Sequence, residues 1–232
     1  ALIALTTQLG TPTFEPVLWT LIGYFLLRAQ LRDDRRALLW AGAVAGLALE
    51  IKYSAAIWLA GLLLGMAATG ARRLFATREF RTGLAVAVIV AAPSLVWQQL
   101  HGWPFLGIIS HHSGEDIAFL GTPIRFVIGE ALGMNIVLAP LWLAGLIAPF
   151  AARDLRPARI LVIASLVAAI AIYAAHGKNY YLFPVFPSLF AAGAVACDRL
   201  HKWIATAWMA IAVVLTLPVL PVVLPIFTPH HL

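Results

Sequence analysis

Five ionisable residues fall at or just inside apolar stretches of the chain: Glu15, Glu50, Lys52, Glu130 and Lys178. A charge held at membrane depth is expensive, so one that persists faces a bundle interior or a water-filled cavity. All five sit at the same ends of their stretches, where one cavity could collect them. Lys52, in the turn Glu50-Ile51-Lys52-Tyr53-Ser54, carries the sharpest chemistry, because an ammonium at a membrane surface is a point charge suited to a phosphate oxygen. The same spacing also allows a snorkelling lysine paired with Glu50. Lys178, in His176-Gly177-Lys178-Asn179-Tyr180-Tyr181, has the same two readings, and Tyr180 and Tyr181 suit an interfacial aromatic belt. Glu15 follows Thr11-Pro12-Thr13-Phe14, where a carboxylate complements the start of a helix. His101, His111, His112, Glu115 and Asp116 share one polar loop, but their spacing is no established metal-ligand set, and a solvated loop is the simpler reading. The chain has no phosphate-cradling glycine loop, no nucleophile elbow and no H-E-x-x-H.

The elements that position these residues are apolar. Of 232 residues 62% are hydrophobic and 11% charged, and the mean hydropathy is +0.91, which predicts an all-α integral membrane protein. Apolar stretches run over 14–28, 37–50, 54–69, 83–100, 126–149, 160–175, 182–197 and 203–220, giving about eight spans, several of them short for a ~30 Å hydrocarbon core. A single helix over residues 37–69 would be about 50 Å long, so a hairpin turning at residues 50–54 is expected. His101-Gly102-Trp103-Pro104 is expected to end a helix at the interface.

The net charge of +6 does not indicate nucleic acid, because thirteen of the sixteen basic residues lie in four short clusters between apolar stretches. These are Arg28 to Arg36, Arg72 to Arg81, Arg153 to Arg159, and Arg199 with Lys202. With strictly alternating spans all four fall on one face, the cytoplasmic one by the positive-inside rule. The outer face then holds the Lys52 turn, the 101–125 loop, the 176–181 turn and six of the seven histidines. The lone Cys197 forms no disulfide framework. Ala1 to Leu5 read as the tail of an apolar segment, so a longer natural chain is expected. By themselves the residues fit a one-sided enzyme, a transporter or flippase for a lipid-linked or small anionic substrate, or a structural membrane subunit. The absence of internal repeats disfavours the transporter, and the structural subunit leaves Lys52 and Lys178 unexplained.

Five segments in order, FEPVLWTLIGYFLLR (14–28), GLALEIKYSA (46–55), VWQQLHGWP (96–104), GMNIVLAPLWLAGL (133–146) and GKNYYLFPVFPSLFAAGAVA (177–196), resemble bacterial members of glycosyltransferase family 39. These are relatives of the protein O-mannosyltransferases and of the aminoarabinose transferases that modify lipid A. The resemblance implies a GT-C-type transmembrane helix bundle, of which residues 1–232 are a single C-terminal portion. It implies an enzyme of the bacterial cytoplasmic membrane that transfers a sugar from a polyprenyl-phosphate donor to a lipid, glycan or protein hydroxyl at the outer face. Such transfer needs a carboxylate for the acceptor proton and cations for the departing phosphate. Carried over by position, Glu15 is the acidic residue at the helix mouth, organising the acceptor or a divalent metal cation. Lys52 and Lys178 are the donor-phosphate cations, and Tyr53, Tyr180 and Tyr181 flank phosphate or sugar. His101, His111 and His112 fall in the loop on the acceptor side. The family's principal carboxylate would precede Ala1, so residues 1–232 alone are expected to be inactive.

Overall fold

The computed structural model describes residues 10–107, 122–198 and 202–219, and every regular element among them is helical. Among the described residues the helices with both ends placed are, in order, α1 Thr11–Leu31, α2 Ala37–Ile51, α3 Ala55–Ala67, α4 Arg78–Leu100, α5 Pro123–Gly133, α6 Ala139–Ala151, α7 Arg159–Ala174, α8 Phe186–Cys197 and α9 Lys202–Thr216. Short 3-10 segments join them, among them Gly70–Ala76, Arg156–Ala158 and Asn179–Val185. The boundaries follow local chemistry. Thr77 and Thr122 accept the Phe80 and Arg125 amides at 3.2 and 3.3 Å, capping α4 and α5. At the other end of α4 the Trp103 amide donates to the Gln98 carbonyl at 2.8 Å, with Gly102 at φ 70° between them. The helix thus ends before His101-Gly102-Trp103-Pro104, as expected, with the closure made by the left-handed Gly102.

Each of the eight expected apolar stretches is mostly helical. Among the described residues three helical stretches are long and apolar enough to cross a membrane, Arg78–Leu100, Arg156–Ala174 and Asn179–Cys197, and up to five are if each bent pair counts as one span. α2, with fifteen residues, is about 22 Å long and falls short of a ~30 Å hydrocarbon core. Ile89 and Leu100 on α4 are 70% and 75% exposed, the outward apolar surface that a lipid solvent favours.

Residues 126–149 do not form one helix. α5 and the stretch Ile136–Ala151 meet at 103°, because Asn135 takes φ 75° and its side chain serves the bend. Its Oδ1 accepts the Val137 amide at 3.0 Å, and its Nδ2 donates to Thr216 Oγ1 at 2.7 Å, anchoring α9. α3 and Gly70–Ala76 meet at 106°.

Small residues bring the helices together in pairs. Gly42 and Gly46 of α2 face Gly83 and Ala87 of α4, Gly61 and Gly65 of α3 face Ala164 and Ile160 of α7, and Gly145 of α6 faces Leu189 and Gly193 of α8. A Cβ on Gly61 would come within 2.7 Å of the Ala164 Cα, and one on Gly65 within 2.7 Å of the Ile160 carbonyl. Lipid gives helices no hydrophobic reason to associate, so close backbone contact supplies the dispersion energy instead.

Candidate functional site

α2 ends where Lys52 turns extended, at φ −163° and ψ 130°, and α3 starts three residues later at Ala55. The expected break at residues 50–54 is present. It carries Lys52 and Ser54 onto α1, where Glu15 is 3% exposed. Lys52 Nζ donates to Glu15 Oε2 at 2.8 Å, and Ser54 Oγ donates to Glu15 Oε1 at 2.6 Å. One helical turn along each chain the contact repeats with aromatic rings. Trp19 and Trp58, four residues beyond Glu15 and Ser54, stack at 5.3 Å, and Trp58 Nε1 donates to the Trp19 carbonyl at 3.3 Å. Both indoles are fully buried, so the Glu15 contact rests on a rigid base.

The segment Asn179–Val185 packs against α1 and closes the other side. Lys52 Nζ lies 4.2 Å from the Tyr181 ring centroid and 5.8 Å from that of Tyr180, and the two tyrosines meet edge to face at 4.6 Å. A cation over a ring face is drawn to its negative quadrupole. The ammonium is thus bounded by one carboxylate and two π-faces, and its side chain remains 19% exposed.

The structure corrects three readings of these residues. Glu15 is the fifth residue of α1, and the first turn of that helix holds no acidic group, so it does not serve the helix terminus. Glu50 does not pair with Lys52. Its Oε1 accepts the Ser94 amide at 2.9 Å, next to Pro93, which lacks an N–H and interrupts the ladder of α4. Nor does one cavity collect the five ionisable groups. Glu130 lies apart, 2% exposed, lining an apolar cavity of about 430 Å³ bounded by α5 to α8. The Asn179 side chain approaches its carboxylate without completing a hydrogen bond.

Of the other expected site residues, Tyr53 turns away from Lys52 to hydrogen-bond Ser94 Oγ and pack on Phe105 at 4.7 Å. Lys178 precedes the tyrosine segment, and its carbonyl accepts the Tyr181 amide at 3.0 Å. His101 stacks on Trp97 at 4.3 Å and its Nδ1 meets the Trp97 carbonyl at 2.7 Å, remote from Glu15 in its bonding. His111 and His112 lie outside the described residues. Ser54 is a contributor that sequence reasoning missed, since a serine just before a helix looks like a cap. Its side chain makes no cap bond.

A divalent cation finds no ready seat here. Among the described residues no three His, Cys, Asp or Glu side chains form a group able to hold a metal. Both Glu15 oxygens already accept hydrogen bonds, one of them from an ammonium that would repel the ion.

The family model described as dolichyl-phosphate-mannose-protein mannosyltransferase matches residues 1–97, a stretch that contains Glu15, Lys52 and Ser54. Over that stretch, less than half of the chain, the protein is similar to GT-C glycosyltransferases of the mannosyltransferase-like kind. Lys178, Tyr180 and Tyr181 lie beyond the matched stretch. No curated protein and no solved structure matches the chain.

Proposed function

We propose that the protein transfers a sugar from a polyprenyl-phosphate donor to an acceptor hydroxyl at the outer face of the bacterial cytoplasmic membrane, with its eight apolar stretches lying across the bilayer as short or bent helices. The observation that carries this reading is the Lys52 ammonium, held between Glu15 and the Tyr181 ring with part of its side chain still open. An ammonium has three N–H donors, and only one is spent on Glu15. The acceptor oxygen attacks the anomeric carbon, the bond from that carbon to the phosphate oxygen breaks, and the electron pair leaves with the lipid phosphate. Lys52 donates to the phosphate as its charge grows, and this stabilises the transition state more than the ground state. Glu15 and Ser54 act as positioning residues that aim the ammonium. Lys178 is the second cation for the phosphate, and the Tyr180 and Tyr181 hydroxyls border the sugar. The acceptor proton passes to a carboxylate, the general base that such a transfer needs. Tyr53 and His101 act at the rim, toward the acceptor.

The test uses the full-length natural protein in membranes with a radiolabelled polyprenyl-phosphate sugar, comparing wild type with Lys52→Ala and Glu15→Ala. Sugar transfer that Lys52→Ala abolishes, in protein that still inserts, supports the reading. If no polyprenyl-phosphate sugar is bound or consumed, a transporter or flippase takes its place.

A further inference from the structure

Gln30 stands at the opposite end of α1 from Glu15, fifteen residues and about 22 Å along the helix. Two polar cavities meet there. One, of about 470 Å³, is lined by Gln30, Thr69, Arg72, Arg156 and Arg159, with no carboxylate. The second, of about 630 Å³, is lined by Gln30, Arg32, Arg35, Arg73 and Asp33, the last held weakly by Arg35 at 3.5 Å. Three of the four basic clusters of the sequence thus converge on one glutamine. Their positions explain why. Arg156 opens the candidate span Arg156–Ala174, and the 106° bend after α3 swings Arg72 and Arg73 back across the end of α1.

These guanidinium groups differ in how far they are engaged. Arg159 is spent on structure, donating to the Pro149 and Phe150 carbonyls at 2.8 and 3.3 Å and so closing the end of α6. Arg72, Arg73 and Arg156 form no ion pair among the described residues. Between the two cation-lined hollows the buried Gln30 Oε1 has no hydrogen-bond donor. An orphaned buried acceptor asks for a ligand group that donates.

We propose that this paired cavity binds an anionic phospholipid head with two phosphates joined through a hydroxyl-bearing glycerol. Each phosphate occupies one arginine-lined hollow, and the glycerol hydroxyl donates to Gln30. Guanidinium forks match phosphate oxygens in pairs, and basic pockets between helices at the membrane surface are suited to such heads. The site is separate from the Lys52 cluster and does not depend on the function proposed for it.

Native mass spectrometry of the purified, delipidated protein tests this with three probes: cardiolipin, phosphatidylcholine and inorganic phosphate. Wild type should retain cardiolipin but not phosphatidylcholine, and millimolar inorganic phosphate should not displace it. Arg72→Gln with Arg156→Gln should weaken cardiolipin binding at least tenfold, and Arg72→Lys with Arg156→Lys should recover part of it. Arg78→Gln with Arg81→Gln, which removes the same charge outside both cavities, should change it less than twofold. Equal loss in the two Gln pairs overturns the site, because general surface charge would then explain the binding. Displacement by inorganic phosphate overturns the lipid as source and makes a free phosphate the ligand.

Discussion

Lys52 and Glu15, thirty-seven residues apart, meet at 2.8 Å, and this one contact joins the neighbouring ends of three helices. Glu15 belongs to α1, Lys52 closes α2, and Ser54, on the second carboxylate oxygen at 2.6 Å, leads into α3. A carboxylate with both oxygens occupied by donors from one turn fixes the direction of that turn as well as its distance.

Removing the cation leaves the carboxylate stranded. Lys52→Ala should lower stability by about 3 kcal/mol, since breaking a buried pair costs more than the pair contributes. Lys52→Met combined with Glu15→Gln should regain most of that loss in a detergent unfolding assay. Sugar transfer should stay absent in both. Transfer by the double variant would show that Lys52 is structural only.

Tyr181 separates ring from hydroxyl. Tyr181→Phe keeps a π-face over Lys52 and should leave stability within ~0.5 kcal/mol, whereas Tyr181→Leu should cost about 1 kcal/mol through loss of the cation–π contact. If Tyr181→Phe also keeps full transfer, the hydroxyl has no part in holding sugar or phosphate.

The α6 and α8 backbones touch through Gly145 and Gly193, and a Cβ on Gly193 would meet the Leu141 carbonyl. Gly193→Ala should therefore cost about 1–3 kcal/mol by overpacking. Gly70, with nothing within 4 Å of the same added carbon, should accept alanine with little change. A midpoint for Gly193→Ala as high as wild type would contradict the close contact.

Asn135 combines positive φ with three side-chain hydrogen bonds. Asn135→Gly should lose the bonds but keep the backbone, while Asn135→Ala should lose the bonds and pay roughly 1 kcal/mol more for φ above zero. Limited proteolysis near α9 should rise in both. Equal stability of the two variants would count against strain at this bend.

Composition made the helical class legible, and the break expected at residues 50–54 followed from helix length together with the placement of the arginine clusters. Partners were harder to read. Glu50 is two residues from Lys52 in sequence, but the amide beside Pro93 claims it, and a proline's demand on another helix has no local signature. The four-residue spacings of Gly42 with Gly46 and Gly61 with Gly65 announce close helix contact without saying which helix answers. The bend at Asn135 hides inside a stretch whose hydropathy is continuous, because one side chain bonded to α9 decides it.

The segment Asn179–Val185 has one more property. Asn179 turns toward Glu130, Tyr181 turns toward Lys52, and Phe183 rests against Gly133. Two residues of chain therefore separate a buried acid from an engaged base, with a single 3-10 stretch as the party wall between them. Anything that displaces this wall on one side, whether a chain sliding into the apolar hollow or a head group settling on the ammonium, moves a side chain on the other. One stretch of seven residues therefore borders both compartments.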